Sequence, residues 1–374
     1  MLKGEPFTLI SYILLTAVTI LGLYFDLPLF FQVPIHTTLL IYIGAVHSTK
    51  LYKPKSPAAK NGEQEKLEVM TQKDAWTFPI VGSAVLFGLF LLFKIFDKDN
   101  INLLFQVYFS VIGAYTIACY IYERIGDYSP FKSLKESVLF NIPPIKWITE
   151  AESKIDILFV LTLILGSGVA SGYYFTKHWT FNNLLGMVFC IFGIENMLLG
   201  QFKVGFILLS LLFFYDIFWV FGTPVMVTVA KNLDGPIKLQ FPRDLLAEKL
   251  EFNMIGLGDI VIPGVFVALM LRFDLINYIN NRKSTPEDDR VPYSLSNVIF
   301  FNFTLVGYIL GIFATLFVMV YFKSAQPALL YLVPGILLSS MLCSLIKGNF
   351  SALWNFDEEK EIKNLTGDKA EKKQ

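Results

Sequence analysis

Stretches of about 20 apolar residues recur ten times along this chain, and they leave it almost no choice of fold. They fall at 7–25, 29–47, 78–96, 101–122, 155–175, 181–199, 204–222, 253–276, 298–321 and 325–346. In lipid every backbone N–H and C=O has to be satisfied internally, which a run of this length does as a helix. With 54% hydrophobic and only 17% charged residues, the 374-residue chain reads as an all-α polytopic membrane protein. Nine spans make up a unit over 29–346, preceded by a hydrophobic segment at 1–28 and followed by a charged tail at 347–374. The first run follows Lys3 and admits two readings, a signal peptide or an extra helix. Its length, and the absence of a clear small-x-small site near Asp26, favour retention.

Charge distribution orients the spans. Loops after the first, third, fifth and seventh of the nine, with the tail, hold 22 of the 31 Lys and Arg, counting Arg272 at the end of its span. The opposite loops hold 7, so the positive-inside rule places the first set and the C-terminus in the cytosol. Cys119, Cys190 and Cys343 lie inside spans and read as buried thiols, not as a disulfide framework. Residues 48–77 read as a Pro- and charge-rich linker, and 123–154 as a second polar stretch interrupted by Pro130, Pro143 and Pro144. The tail from Lys347 reads as loose. In the lumenal loop 223–256, Ile237-Lys-Leu-Gln-Phe241 alternates between two prolines and is either a short edge strand or irregular.

Two carboxylates stand out against this apolar background. Asp216 lies in Phe213-Phe-Tyr-Asp-Ile-Phe-Trp219 and Asp259 in Ile255-Gly-Leu-Gly-Asp-Ile260. A carboxylate near mid-span costs roughly 2.5–3.5 kcal/mol on insertion scales, so two in consecutive spans point to joint use. Taking the lumenal ends at Gly222 and Asn253, each lies six residues in, roughly 9 Å deep on adjacent helices. Pro263 denies the Asp259 carbonyl its usual i+4 donor, and Gly256 and Gly258 leave the preceding backbone bare. Such a start suits a catalytic entrance and equally an ion site in a transporter. Pro327-Ala-Leu329 opens the last span at a similar level, and Glu195 with Asn196 forms another polar pair read as structural.

Together, Tyr215-Asp216, Gly256-Leu-Gly-Asp259 and Gln326-Pro-Ala-Leu329 resemble the GxGD intramembrane aspartic proteases. The chain is more similar to the signal peptide peptidase branch than to presenilin. Phe218-Trp-Val-Phe-Gly-Thr-Pro-Val-Met-Val-Thr-Val-Ala-Lys231, Phe241-Pro-Arg-Asp-Leu245, Lys177-His-Trp179 with Asn182-Asn183, and Phe93-Lys-Ile-Phe96 extend the likeness over roughly 74–346. The resemblance implies a nine-helix bundle, to which 7–25 is additional. It also implies endopeptidase cleavage of type II-oriented transmembrane segments, chiefly signal-peptide remnants, in the endoplasmic reticulum membrane. Asp216 and Asp259 would be catalytic. Tyr215, Gly256, Leu257, Gly258, Gln326, Pro327, Ala328 and Leu329 would shape the substrate cleft. The tail ends Glu371-Lys-Lys-Gln374, an imperfect di-lysine retrieval signal. Lipid surrounds such an enzyme, homo-oligomerisation stays open, and neither nucleic acid, metal nor another cofactor is expected. His36, His47 and His178 form no zinc motif, and none is placed to activate Ser167. A proton- or cation-coupled transporter is the rival reading, and a non-catalytic adaptor role could coexist with proteolysis.

Overall fold

The computed structural model describes residues 6–52, 69–126, 128–142, 153–245, 247, 250–284, 298–322 and 326–366. In chain order these form α1 (Pro6–Tyr24), α2 (Leu29–Ser48), a 3-10 turn (Thr49–Tyr52), β1 (Val69–Met70), α3 (Gln72–Ile95), α4 (Lys98–Ile125), α5 (Ser129–Glu136), β2 (Val138–Ile142) and β3 (Ser153–Asp156). There follow α6 (Ile157–Thr176), α7 (Trp179–Asn196), β4 (Leu198–Leu199), α8 (Phe202–Phe221), α9 (Val225–Asn232), β5 (Lys238–Pro242) and β6 (Phe252–Gly256). The last elements are α10 (Gly258–Ser284), α11 (Ile299–Phe322), α12 (Leu329–Ile346), α13 (Phe350–Trp354) and α14 (Glu358–Thr366). The long helices overlie the apolar runs, and the protein is an all-α polytopic membrane protein.

Among the described residues, eight of the long helices hold a stretch long and apolar enough to cross a bilayer. The exceptions, α7 and α10, are the polar ones, and they lie inside the bundle. Asn182, Asn183 and Glu195 on α7, and Arg272 and Asp274 on α10, are all buried. From Val265 to Phe273 no residue of α10 is more than 3% exposed. A helix covered on every side can carry polar groups where its neighbours pair them. Asp274 accepts the Phe301 N–H at 2.9 Å, so α10 helps to satisfy the opening turn of α11.

The span expected at 253–276 starts differently. Residues 252–256 are strand, and the helix opens only at Gly258. Alternating exposure along Asn253-Met-Ile255 suits a pleated edge better than a helix face. Asp259 therefore sits in the first turn of α10, not six residues inside a helix that begins at Asn253. A two-stranded hairpin sets its level.

Small residues let α11 and α12 touch backbone to backbone. A Cβ at Gly307 would run into the carbonyl oxygen of Gly335 and the Ser339 hydroxyl, and one at Gly311 would lie 2.9 Å from Leu332 Cα. Such seams bring membrane helices together where no hydrophobic force separates protein from lipid.

As far as Ile362 the segment after α12 is packed, not loose, and 367–374 lie outside the described residues. Leu353, Phe356, Glu358 and Ile362 are buried. Trp354 packs on Phe202 with centroids 5.9 Å apart, the Glu358 N–H donates to Gly200 O at 2.8 Å, and Gln201 Nε2 donates to Asp357 at 3.0 Å. The Arg272 guanidinium meets the Glu358 carboxylate in a fully buried ion pair and also donates to Ser48 Oγ at 2.9 Å.

Other polar stretches also acquire structure. The region 123–154 contributes α5 and the β2–β3 hairpin, while Pro143 and Pro144 lie outside the described residues, as does most of the linker at 48–77. Glu195 pairs with Lys50 at 2.9 Å and with Arg124, holding α7, the 3-10 turn and α4 together. Burial works to lower the Lys50 ammonium, but the Glu195 and Glu123 carboxylates outweigh it and hold it above the usual lysine range. Helix α1 is bound to the bundle by specific polar contacts: Tyr12 Oη lies 2.6 Å from Tyr120 Oη and 2.7 Å from His47 Nε2, and Thr19 Oγ1 lies 3.2 Å from His36 Nε2.

Candidate active site

Asp216 faces inward from the last turns of α8 and is buried, 3% exposed. An uninterrupted helix-forming run from Phe202 to Phe221 places it there. Its carboxylate accepts the backbone N–H of Leu329 at 3.0 Å. That N–H belongs to the opening turn of α12, where helix geometry leaves donors unsatisfied and an anion fits the positive end of the helix dipole. Pro327, one residue before the N-cap Ala328, pre-sets the chain for helix entry. Pro327, Ala328 and Leu329 are all buried against this point.

Asp259 is half-buried and lies close enough to Asp216 for the two carboxyls to interact electrostatically. Its Oδ2 is 3.3 Å from where a Cβ on Gly256 would stand, so any side chain there would crowd it. A Cβ on Gly258 would meet nothing within 4 Å. The backbone before Asp259 is therefore bare on one side and tightly approached on the other.

The hairpin feeding into Asp259 has two unlike edges. Leu239 pairs with Ile255 and Phe241 with Asn253, flanked by Leu257 N–H to Ile237 O and Arg243 N–H to Glu251 O, each 2.9 Å. This parity turns the main-chain groups of Lys238 and Gln240 away from β6. They meet α7: Asn182 Nδ2 donates to Lys238 O at 2.8 Å, and Asn183 both donates to Gln240 O at 2.6 Å and accepts the Gln240 N–H at 2.8 Å. By the same parity Met254 and Gly256 turn their N–H and C=O groups outward from β6. Among the described residues nothing occupies those of Met254, whose side chain is 53% exposed. The expected strand thus exists one residue later than Ile237–Phe241, but its outer edge is sealed by α7. The open edge is that of β6.

The remaining expected residues gather around this point. Tyr215 is half-buried against α3, with its hydroxyl 3.6 Å from where a Cβ on Gly82 would stand, and Trp219 one turn on donates to Ser83 Oγ at 3.1 Å. Leu257 joins strand to helix and packs into the main core. Gln326 accepts from Tyr331 Oη at 3.5 Å. In the adjoining loop, burial pushes the Lys238 ammonium down, opposed by Asp234, while its Nζ donates to Ala230 O at 3.0 Å. Glu195 and Asn196 lie at the other end of α7, apart from the carboxyl pair. No group of His, Cys, Asp and Glu able to hold a metal occurs among the described residues. Sequence reasoning missed the sealing role of Asn182 and Asn183 and the nearness of Tyr308, whose hydroxyl is 3.5 Å from the Asp259 carbonyl. A polar residue within a span was the available signal for each.

Residues 62–360 match the family model of signal peptide peptidase. The chain is 40% identical over 330 residues to the signal peptide peptidase of Mus musculus, covering 85% of this chain and 80% of that one. It is 46% identical over 243 residues to intramembrane protease 2 of Caenorhabditis elegans, covering 64% and 49%. To a probable intramembrane protease of Schizosaccharomyces pombe it is 33% identical over 329 residues, covering 88% and 94%.

Proposed function

The chain belongs to the signal peptide peptidase family and is an intramembrane-cleaving protease, and from that premise we propose that Asp216 and Asp259 form its catalytic pair. The observation that carries this reading is the junction of three helices at one point. Asp216 on α8 is held by the first turn of α12, within electrostatic reach of Asp259 at the start of α10. Two carboxyls that oppose each other's ionisation hold one proton between them. The ionised member takes a proton from water as it attacks the scissile carbonyl. The protonated member donates to the carbonyl oxygen, and the leaving amine is protonated as the intermediate collapses. Which aspartate fills which role belongs to the coupled pair. The direct experiment incubates purified protein in detergent with a transmembrane signal-peptide substrate, beside Asp259→Ala. Cleavage within the apolar stretch by the wild type alone supports the reading, and equal cleavage by both rejects it.

Substrate helices offer no exposed peptide bond, so a stretch has to unwind and find partners for its freed main chain. The open edge of β6, which ends three residues before Asp259, supplies them by strand addition. Met254→Pro removes an edge donor without touching the bonds to β5, and lowers cleavage of an intact helical substrate about tenfold, the worth of one hydrogen bond at the upper end of its usual range. Binding of a small inhibitor directed at the carboxyl pair stays unchanged. Unaltered cleavage would remove β6 as the docking strand.

Type II-oriented segments, chiefly signal-peptide remnants, are the substrate class in this reading. The site is the endoplasmic reticulum membrane, with the C-terminus in the cytosol. Asn349 heads a sequon (Asn349-Phe-Ser351), is exposed and caps α13, so only its side of the membrane keeps it unmodified. Neither it nor Asn302 within α11 nor Asn364 acquires sugar in a glycosylating cell. A glycosidase-sensitive mobility shift lost in Asn349→Gln would invert the orientation.

A further inference from the structure

The carbonyl of Asp259 lacks its ordinary helical partner. Pro263, four residues on and inside α10, has no N–H to give it. Buried main-chain acceptors inside a membrane protein are costly to leave unpaired. One helix away, the Tyr308 hydroxyl has the matching requirement: the residue is 0% exposed, and a buried phenol needs a partner. The two meet, with Tyr308 Oη donating to Asp259 O at 3.5 Å. A single oxygen thus ties α11 to α10 at the residue that carries the carboxyl.

Support for Asp259 is scarce elsewhere. Gly256 and Gly258 put no side chain beside it, so the direction of its carboxyl depends on where its own backbone is held. Tyr308 approaches from α11, which is locked to α12 through Gly307 and Gly311. The same α12 donates Leu329 N–H to Asp216. One helix pair therefore reaches both carboxyl residues, one through a hydroxyl and the other through an amide.

We infer that Tyr308 is a positioning residue for the proposed reaction, its hydroxyl standing in for the N–H that Pro263 lacks and fixing the first turn of α10. This rests on the assignment of Asp259 as catalytic. Tyr308→Phe keeps the ring and deletes only the oxygen. It lowers kcat about tenfold, since small displacements of a reacting group are costly, leaves KM for a helical substrate within about twofold, and moves the flanks of the pH–rate profile. Pro263→Ala in the same background returns a donor to the Asp259 carbonyl and recovers most of the lost kcat. Unchanged kcat and pH profile in Tyr308→Phe would overturn the inference. So would a loss that Pro263→Ala does not relieve, or a collapse of Tm, either of which makes the hydroxyl a packing contact. Asp259→Asn measured alongside separates the two levels: activity there removes the catalytic assignment itself, whereas an inactive Asp259→Asn with a normal Tyr308→Phe removes only the role of Tyr308.

Discussion

Asp216→Asn and Asp259→Asn, each alone, lower kcat by about 10³-fold or more in a purified assay, because general acid and general base are both lost when the pair can no longer share a proton. Asparagine has nearly the volume of aspartate. At position 216 its carbonyl oxygen can still accept the Leu329 N–H, so α8 and α12 stay joined. Loss of cleavage with unchanged Tm therefore isolates proton transfer from folding. Alanine at 216 removes the acceptor as well, leaves the Leu329 N–H unpaired in a buried site, and adds a drop in Tm that asparagine does not cause. Substantial cleavage by either asparagine variant, confirmed by the mass of the products, would end the two-aspartate assignment.

The largest effect on stability belongs to the other end of the molecule. Arg272→Ala takes the guanidinium away from the Glu358 carboxylate, 1% exposed, and breaking a buried pair in this way costs about 3–5 kcal/mol. Ser48 loses a donor in the same step. Thermal unfolding in detergent reads the change directly. Arg272→Met with Glu358→Leu removes both charges together and recovers most of the loss, since a well-packed apolar pair of similar volume avoids the desolvation cost. A single variant as stable as the wild type would mean that the buried ion pair contributes nothing to the fold.

How far the sequence foretells this structure depends on the reach of each interaction. Apolar run length is a local property, so the long helices could be read directly from it. The level of Asp216 followed from counting back from Gly222 along an unbroken helix. The level of Asp259 did not, because Phe252-Asn-Met-Ile-Gly256 is apolar enough for a span and alternates enough for a strand. Only its partner β5 decides, ten or more residues away. Asp357-Glu-Glu-Lys-Glu361 looks like a solvated charge run, and nothing nearby reveals that Glu358 faces Arg272, 86 residues earlier. Asn182 and Asn183 read as an ordinary polar helix start until a strand edge is laid beside them. Tyr308 stood hidden in the most apolar of the long helices. The absence of a donor at Pro263 was plain in the sequence, but which residue compensates for it was not.

The glycine seam between α11 and α12 bears on when the enzyme becomes active during its own manufacture. Chains are made from the N-terminus, so Asp216 and Asp259 both leave the ribosome before Gly307, Gly335 or Leu329 exist. A nascent chain carrying both carboxyls still lacks the amide that holds the first and the hydroxyl beside the second. Two helices joined backbone to backbone pack as one hairpin. With Asp216 and Asp259 as the proposed pair, the protease stays silent until its final pair of helices has been laid down.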